Sequence, residues 1–474
     1  MHPLHEILLE IRKCSKKLQT YFEDILAENE QLRAEIKKLR ARINANSTNS
    51  NRPPSSNPFI KPKSLRVKTG RRPGGQPGHK GATLNILQTP DVVVKHQIDT
   101  CSHCGCDIFM EAATIQQTRQ VVDVQIIPVV TEHAIMSKTC MACGKTSTAK
   151  FPRGVDRYIQ YGDTFSSIII CLAKGNYIPY ERLSKISKDI LGIAVSSGTL
   201  VSIVHKCGKS LNDSMEYIKD QLKQAVVVHF DETGNRVMGE NEWLHSAGNE
   251  KYTYIKTHAK RGSAATDDIG ILPEFKGTAI HDFWKSYYNY TLCEHALCNA
   301  HILRELNGIT DNFSQAWPDK MKTLLVDIKQ SVEAAGGALS LPETIDYEAR
   351  YDKILELAEK ENPVKDAPKR RGKRGRIAKS KARNLLERMK KYKKDILKFM
   401  TDPAIPFDNN LAERDIRMSK LQQKISGGFR SDEGSQAFNN IRSYISTASK
   451  QGVSMFESIH AAVSGNPLFT YKNP

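Results

Sequence analysis

No apolar run in this 474-residue chain approaches the roughly 20 residues that a membrane-spanning helix requires. The nearest, SSIIICLA at 166–173, runs straight into Lys174, so the sequence predicts neither a membrane span nor a secretory signal. Glycine (29) and proline (20) are too few for a collagenous or low-complexity chain. Aromatic residues reach only 7%, but hydrophobic residues as a whole reach 39%, which supplies folded cores and excludes a wholly disordered protein. Acidic residues fall short: 52 Asp and Glu face 70 Lys and Arg. The resulting net charge of +18 favours a polyanionic partner, bound with release of counterions. Cysteine is scarce too, and four of the ten fall in two C-x-x-C pairs, a pattern of metal ligation in a reducing cytoplasm and not of a disulfide framework. The length exceeds what one hydrophobic core sustains and predicts a multidomain chain.

Residues 1–45 hold a heptad repeat, with Leu4, Ile11, Leu18, Ile25, Leu32 and Leu39 on one seam position and Leu8, Ser15, Phe22, Asn29, Ile36 and Ile43 on the other. This predicts a coiled coil that makes a homodimer, with Asn29 setting the register and Glu28–Arg33 and Glu35–Arg40 spaced for pairing between parallel strands. A single helix packed on its own chain is the plainer reading. Residues 46–90, with NSTNSNRPPSSNP and GRRPGGQPGHKG, bury too little to fold alone and predict a flexible basic linker. Residues 91–152 predict a zinc-binding module of the zinc-ribbon kind. Cys101 and Cys104 in CSHCG and Cys140 and Cys143 in CMACG would hold one structural Zn²⁺ through four thiolates, and VVDVQIIPVV at 121–130 would supply a strand between them.

Residues 153–220 read as helical, with one helix ending near Leu191, a turn at Gly192 and a second helix capped by Ser196 or Ser197. That is a helix-turn-helix pattern whose second helix, from Thr199 onward, would lie in a DNA major groove, although an ordinary helical hairpin accounts for the same residues. The period then changes. AVVVHF ends at Asp231, EWLHSAGNEKYTYIKTH reads as a hairpin, and GTAIH ends at Asp282. Residues 302–400 read as an α-helical insertion, and its stretch 369–394 holds fourteen Lys and Arg against the single acid Glu387. At PFDNNLAERDIR, Asp408 can cap a helix that carries Glu413 one turn in; a C-terminal helix and tail occupy 449–474.

Asp231, Asp282 and Glu413 are hard oxygen ligands of the type a site for two Mg²⁺ or Mn²⁺ needs, although 52 acids offer many accidental triads. Cys298 and His301, three apart in CNAH, share a helical face and either orient something beside those metals or simply pack. Arg414, Arg417, Lys424 and Arg430 flank the third acid, as phosphate contacts or as solvated charges.

From the heptad region through QPGHKG, the C-x-x-C pairs, HFDET, GTAIHDFWKSYY, HALCNAHILREL and DNNLAERDIR to KISGGFRS, the chain resembles the insertion-sequence-66 family of bacterial DDE transposases. The resemblance implies a ribonuclease-H-like catalytic α/β domain in two parts, 221–301 and 401–448, separated by the insertion. It implies Asp231 from HFDET, Asp282 from HDFWKSY and Glu413 from NNLAER as the catalytic, Mg²⁺-binding triad. It further implies DNA partners, namely the element's terminal inverted repeats and target DNA, accessory transposition proteins, and a cytoplasmic, nucleoid-associated location. It would set Lys369, Arg370, Arg371, Lys373, Arg374 and Arg376 beside the active site, where flanking DNA passes. Two rivals are a catalytically silent regulator derived from a transposase and a structure-selective nuclease of the same fold.

Overall fold

The computed structural model describes residues 16–50, 84–152, 154–313, 315–363 and 379–471 of a mixed α+β chain. The described residues fall into two units, one within 1–65, 150–185 and 195–474 and the other within 66–149 and 186–194.

A single long helix, Lys16–Ile43, covers the described part of the heptad region; Leu4, Leu8, Ile11 and Ser15 lie outside the described residues. Leu18, Ile25, Leu32, Ile36, Leu39 and Ile43 are all exposed along it, so the apolar seam has no cover among the described residues. Hydrogen bonds anchor the residues that follow the helix. Asn49 Nδ2 donates to Asp311 Oδ2 at 3.0 Å, and Asn307 Nδ2 donates to Thr48 O at 3.4 Å.

The smaller unit contains two matching turns. In the first, the Cys101 N–H donates to Cys106 O and the Gly105 N–H to Cys101 O; in the second, Cys140 donates to Lys145 O and Gly144 to Cys140 O. Gly105 and Gly144 occupy the left-handed region at φ 75° and 69°, which a side chain would disfavour. An isolated bridge between Thr100 and Asp107 flanks the first turn, and an antiparallel pair, β1 (Ser137–Thr139) and β2 (Thr146–Thr148), flanks the second. The strand expected at 121–130 does not form. Those residues have no pairing partner among the described residues, Val121, Val129 and Val130 are almost fully exposed, and Pro128 has no N–H to give a ladder.

The larger unit is organised by a five-stranded sheet. Strands β3 (Val227–Val237), β4 (Glu240–Gly248) and β5 (Thr253–His258) form an antiparallel meander. The β3–β4 turn has Met238 and Gly239 at φ 51° and 86°, the two positive angles a tight hairpin needs. Strands β6 (Thr278–His281) and β7 (Glu294–Leu297) run parallel to β3, which gives the order β5-β4-β3-β6-β7. β6 is buried along its whole length, as a short central parallel strand must be. β3 does not stop at Asp231 as the sequence pattern suggests, because residues from Glu232 to Val237 continue the ladder with β4. Its parallel pairing to β6 does stop, at His229–Ile280.

The Asn410–Ser426 helix packs on β3 and β4, and the Asp432–Lys450 helix packs on β5 and on the Ser197–Ser210 helix. At the latter crossing, a Cβ on Gly208 would lie 2.6 Å from the Ala437 Cα, so only glycine permits that approach. The Tyr180–Leu191 and Ser197–Ser210 helices and the intervening turn lie where the pattern predicts them: Gly192 is at φ 68°, and Ser196 caps the second helix by accepting from the Thr199 N–H at 3.1 Å.

After β7 comes the helical insertion, with helices Asn299–Phe313, Trp317–Ala334, Leu341–Glu361, Lys381–Lys391 and Lys393–Leu397. Trp317, Tyr351, Leu385 and Leu386 are fully buried in a core that also takes in Ile280, Ala296 and Leu297 of the sheet. Much of the basic run is spent inside this block. Arg383 and Lys390 pair with Glu359, Lys379 with Glu387, Arg388 with Glu305, and Lys393 with Glu348 and Asp352. Lys369, Arg370, Arg371, Lys373, Arg374 and Arg376 lie outside the described residues.

Candidate active site

The parallel ladder between β3 and β6 has a constant offset of 51, from Val227–Thr278 to His229–Ile280. The same offset separates Asp231 from Asp282, which follow two residues after the last pair of the ladder. Side chains alternate along a strand, so Asp231 shares its face with His229. That face meets the Asn410–Ser426 helix, because His229 Nδ1 bonds Asn409 Oδ1 at 2.7 Å. Asn409, 2% exposed, also donates from Nδ2 to Phe230 O at 2.8 Å and from its backbone N–H to Cys298 Sγ at 3.2 Å. One buried side chain thus ties β3 to the start of the helix whose first turn carries Glu413. Asp408 accepts from the Asn410 N–H at 3.1 Å, next to the cap position that Asn409 occupies.

A fourth carboxylate completes the cluster. Glu232, its side chain 3% exposed, accepts from Arg261 Nε and Nη2 at 2.9 and 2.7 Å and from the Tyr287 hydroxyl at 2.6 Å. Arg261 is held over the rings of Trp243 and Trp284, 4.7 and 3.7 Å from their centroids. Trp284 in turn donates its backbone N–H to Asp282 Oδ1 at 2.8 Å. Burial raises the Asp231 carboxyl well above the usual carboxylate range, and the charges of Glu232, Asp282 and Glu413 raise it further. Burial, then the Glu232 charge, pushes Asp282 up to about 6. Glu413 Oε1 accepts from Arg304 Nη2 at 3.1 Å and lies 4.0 Å from His301 Nδ1.

Among the described residues, Cys298, His301 and Glu413 are the group whose ligand atoms all lie within 4.8 Å of one another. Asp231, Asp282 and Glu413 are spread more widely than that, and so are the four knuckle cysteines. Within each knuckle the thiols do interact, Cys104 with Cys101 and Cys140 with Cys143; backbone hydrogen bonds first, and these thiol contacts after them, lower the Cys104 and Cys140 thiols. Arg414, Arg417 and Lys424 project from the helix that bears Glu413, and Arg430 follows it; all four are exposed and make no ion pair among the described residues. Thr199 is partly buried, its hydroxyl 2.9 Å from Ser196 Oγ. Sequence reasoning missed Glu232, Arg261, Tyr287, Arg304 and Asn409. Glu232 adjoins Asp231 in HFDET and Asn409 stands in DNN, but pattern alone gives neither a partner.

A family model described as "Transposase IS66 family" matches residues 159–437, more than half of the chain and all of the sheet, the insertion and the helix bearing Glu413. The chain therefore belongs to the IS66 transposase family. A second model, described as "Family of unknown function (DUF6444)", matches residues 4–85. Over 72 residues the chain is 35% identical to "Uncharacterized protein y4jO" of Sinorhizobium fredii (strain NBRC 101917 / NGR234), a match covering 15% of this chain and 22% of that protein. The chain thus spans less than a quarter of that curated relative's length.

Proposed function

We propose that this chain is a DNA transposase that cuts and joins strands using two Mg²⁺ or Mn²⁺ ions held by Asp231, Asp282 and Glu413. The observation that supports the reading is the placement of two half-buried aspartates, one on β3 and one just past the end of the parallel strand β6, beside the helix whose first turn carries Glu413. An antiparallel meander followed by two parallel strands supports the reading of a ribonuclease-H-like domain, which the insertion would interrupt between β7 and the Asn410–Ser426 helix.

The donor set suits a divalent cation. Asp231 has no cationic hydrogen-bond partner among the described residues, and the nearby guanidinium of Arg261 is committed to Glu232. Bound ions would activate the attacking oxygen and stabilise the leaving one. Asp231 and Asp282 would hold the shared metal site and Glu413 the second metal. The Glu232–Arg261–Tyr287 network would fix the backbone beside both aspartates, and Asn409 would fix the approach of the helix. Water would attack the phosphodiester first, and the freed 3′ hydroxyl would then attack target DNA. A strand-transfer assay on DNA bearing the element's ends tests this: joined product supports a transposase, cleaved but unjoined DNA a nuclease, and binding alone a silent regulator.

DNA would be held in three places. The Ser197–Ser210 helix would read the element's ends, with Ser202, Lys206 and Lys209 exposed on it beyond Thr199. Arg414, Arg417, Lys424 and Arg430 would contact phosphates near the metals. The stretch from Lys369 to Arg376 would contact flanking DNA. Replacing Lys369, Arg370, Arg371, Lys373, Arg374 and Arg376 with Gln should flatten the salt dependence of binding, by about 0.9 in log–log slope for each phosphate that is no longer neutralised. Binding to specific and random DNA should weaken alike, since phosphate contacts carry no sequence information. An unchanged slope would remove this stretch from the DNA contacts.

The exposed seam of the Lys16–Ile43 helix supports a parallel two-stranded coil and a homodimer. Full-length Ile25→Lys should then sediment as a monomer at concentrations where the wild type is a dimer; an unchanged dimer would remove the coil as the interface. We further propose that Cys101, Cys104, Cys140 and Cys143 close on one structural Zn²⁺ in a module spanning 91–152. No helix among the described residues is long and apolar enough to cross a membrane. A transposase works where its DNA is, which for a bacterial element is the nucleoid.

A further inference from the structure

We propose that Cys298, His301 and Glu413 form a metal site of their own that takes Zn²⁺ in preference to Mg²⁺. The proposal stands whether or not Glu413 also serves the magnesium chemistry. Cys298 is 1% exposed just after β7, and His301 lies in the first turn of the Asn299–Phe313 helix. Glu413 comes from the first turn of the Asn410–Ser426 helix, and the three ligand atoms lie within 4.8 Å of one another.

An independent observation points at the same spot. His301 Nδ1 is buried and has no hydrogen-bond partner among the described residues, and its 4.0 Å separation from Glu413 Oε1 is too long for one. Leaving such a nitrogen unsatisfied is costly, and a metal ion satisfies it. A thiolate, an imidazole and a carboxylate are ligands of tetrahedral zinc, with the fourth position left for water, whereas Mg²⁺ requires an oxygen shell. The opposing feature is Arg304, whose Nη2 lies 3.1 Å from Glu413 Oε1. Zinc must displace that guanidinium, which at 19% side-chain exposure has a path toward solvent. Once bound, the ion ties the start of the insertion to the helix bearing Glu413 in place of the Arg304–Glu413 pair, beside the Asn409 N–H on Cys298 Sγ and the Asn299 N–H on Phe407 O.

The test counts zinc in the full-length protein after loading and desalting. Wild type should hold one zinc per chain more than Cys298→Ser and one more than His301→Gln. The four knuckle cysteines are unchanged in all three proteins, so this difference is independent of whether they bind zinc. Substituting Co²⁺ should give tetrahedral visible bands and a sulfur-to-cobalt charge-transfer band whose Cys298 component is missing in Cys298→Ser. Melting in EDTA checks that the variants are folded. Arg304→Gln alters no ligand and should hold the extra zinc about tenfold more tightly against a chelator, because it removes the competing cation. Equal zinc in wild type and folded ligand variants overturns the proposal. If those variants do not fold, Arg304→Gln that binds zinc no tighter than wild type overturns it.

Discussion

Asp231→Asn, Asp282→Asn and Glu413→Gln should each abolish cleavage and joining while leaving binding to the element's ends intact. An amide keeps the shape of each side chain but offers a divalent ion a neutral and weaker ligand. A loss of about a thousandfold or more corresponds to about 4 kcal/mol of transition-state stabilisation. The aspartate substitutions should also raise the stability of the metal-free protein. Asp282 titrates at about 6 in the fold, above the usual aspartate range, because burial and then the Glu232 charge disfavour its ionised form. For an acid shifted upward, the stability it contributes is full below about pH 4 and is lost as the pH rises through about 6. At pH 7 the metal-free wild type therefore carries a penalty on the order of 3 kcal/mol at this one position, which Asp282→Asn removes. Thermal melting in EDTA should show Asp282→Asn above wild type at pH 7 and level with it near pH 4, and Mg²⁺ should narrow the gap by stabilising only the wild type. Mg²⁺-dependent cleavage retained by any of the three variants would take that residue out of the triad.

Removing zinc from the four-cysteine module should unfold it outright. The two knuckles share one backbone pattern, a cysteine whose N–H and C=O both close the turn and a glycine at positive φ. Around them the smaller unit has little else to hold it: its strands are three residues long, and Val121, Val122, Val124, Ile127, Val129 and Val130 are exposed. A unit with so thin a core would depend on a bound metal, and structural zinc is worth about 10 kcal/mol or more of folding free energy at neutral pH. Cys140→Ser, or treatment of the wild type with a strong chelator, should make residues 91–152 the first site of limited proteolysis while the sheet-containing unit stays resistant. A module that keeps its protease resistance and releases no zinc would contradict the assignment.

Much of this site is legible in the sequence. The spacing of 51 between Asp231 and Asp282 is the register of two parallel strands, and the helix after Asp408 is marked by its cap and by Glu413 one turn in. What stays hidden depends on tertiary contacts. Glu232 looks like a neighbour of a ligand until Arg261 and Tyr287 arrive from 29 and 55 residues away. Asp408 reads as the helix cap, yet Asn409 takes the cap position, its side chain occupied by His229 and Phe230, far away in sequence. The β-branched run at 121–130 has the composition of a strand, but a strand requires a partner, and composition does not provide one. Charge misleads in a similar way. The basic residues from Lys379 to Lys393 look like a surface for DNA, but Glu305, Glu348, Asp352, Glu359 and Glu387 engage five of them inside the helical block.

Whether three carboxylates gather divalent ions is the central question, and anomalous scattering from Mn²⁺ bound to the full-length protein with DNA answers it most directly. Manganese peaks should lie between Asp231 and Asp282 and between Asp231 and Glu413, and should be absent in crystals of Asp231→Asn. Manganese elsewhere, with none touching Asp231 and Asp282, would contradict it.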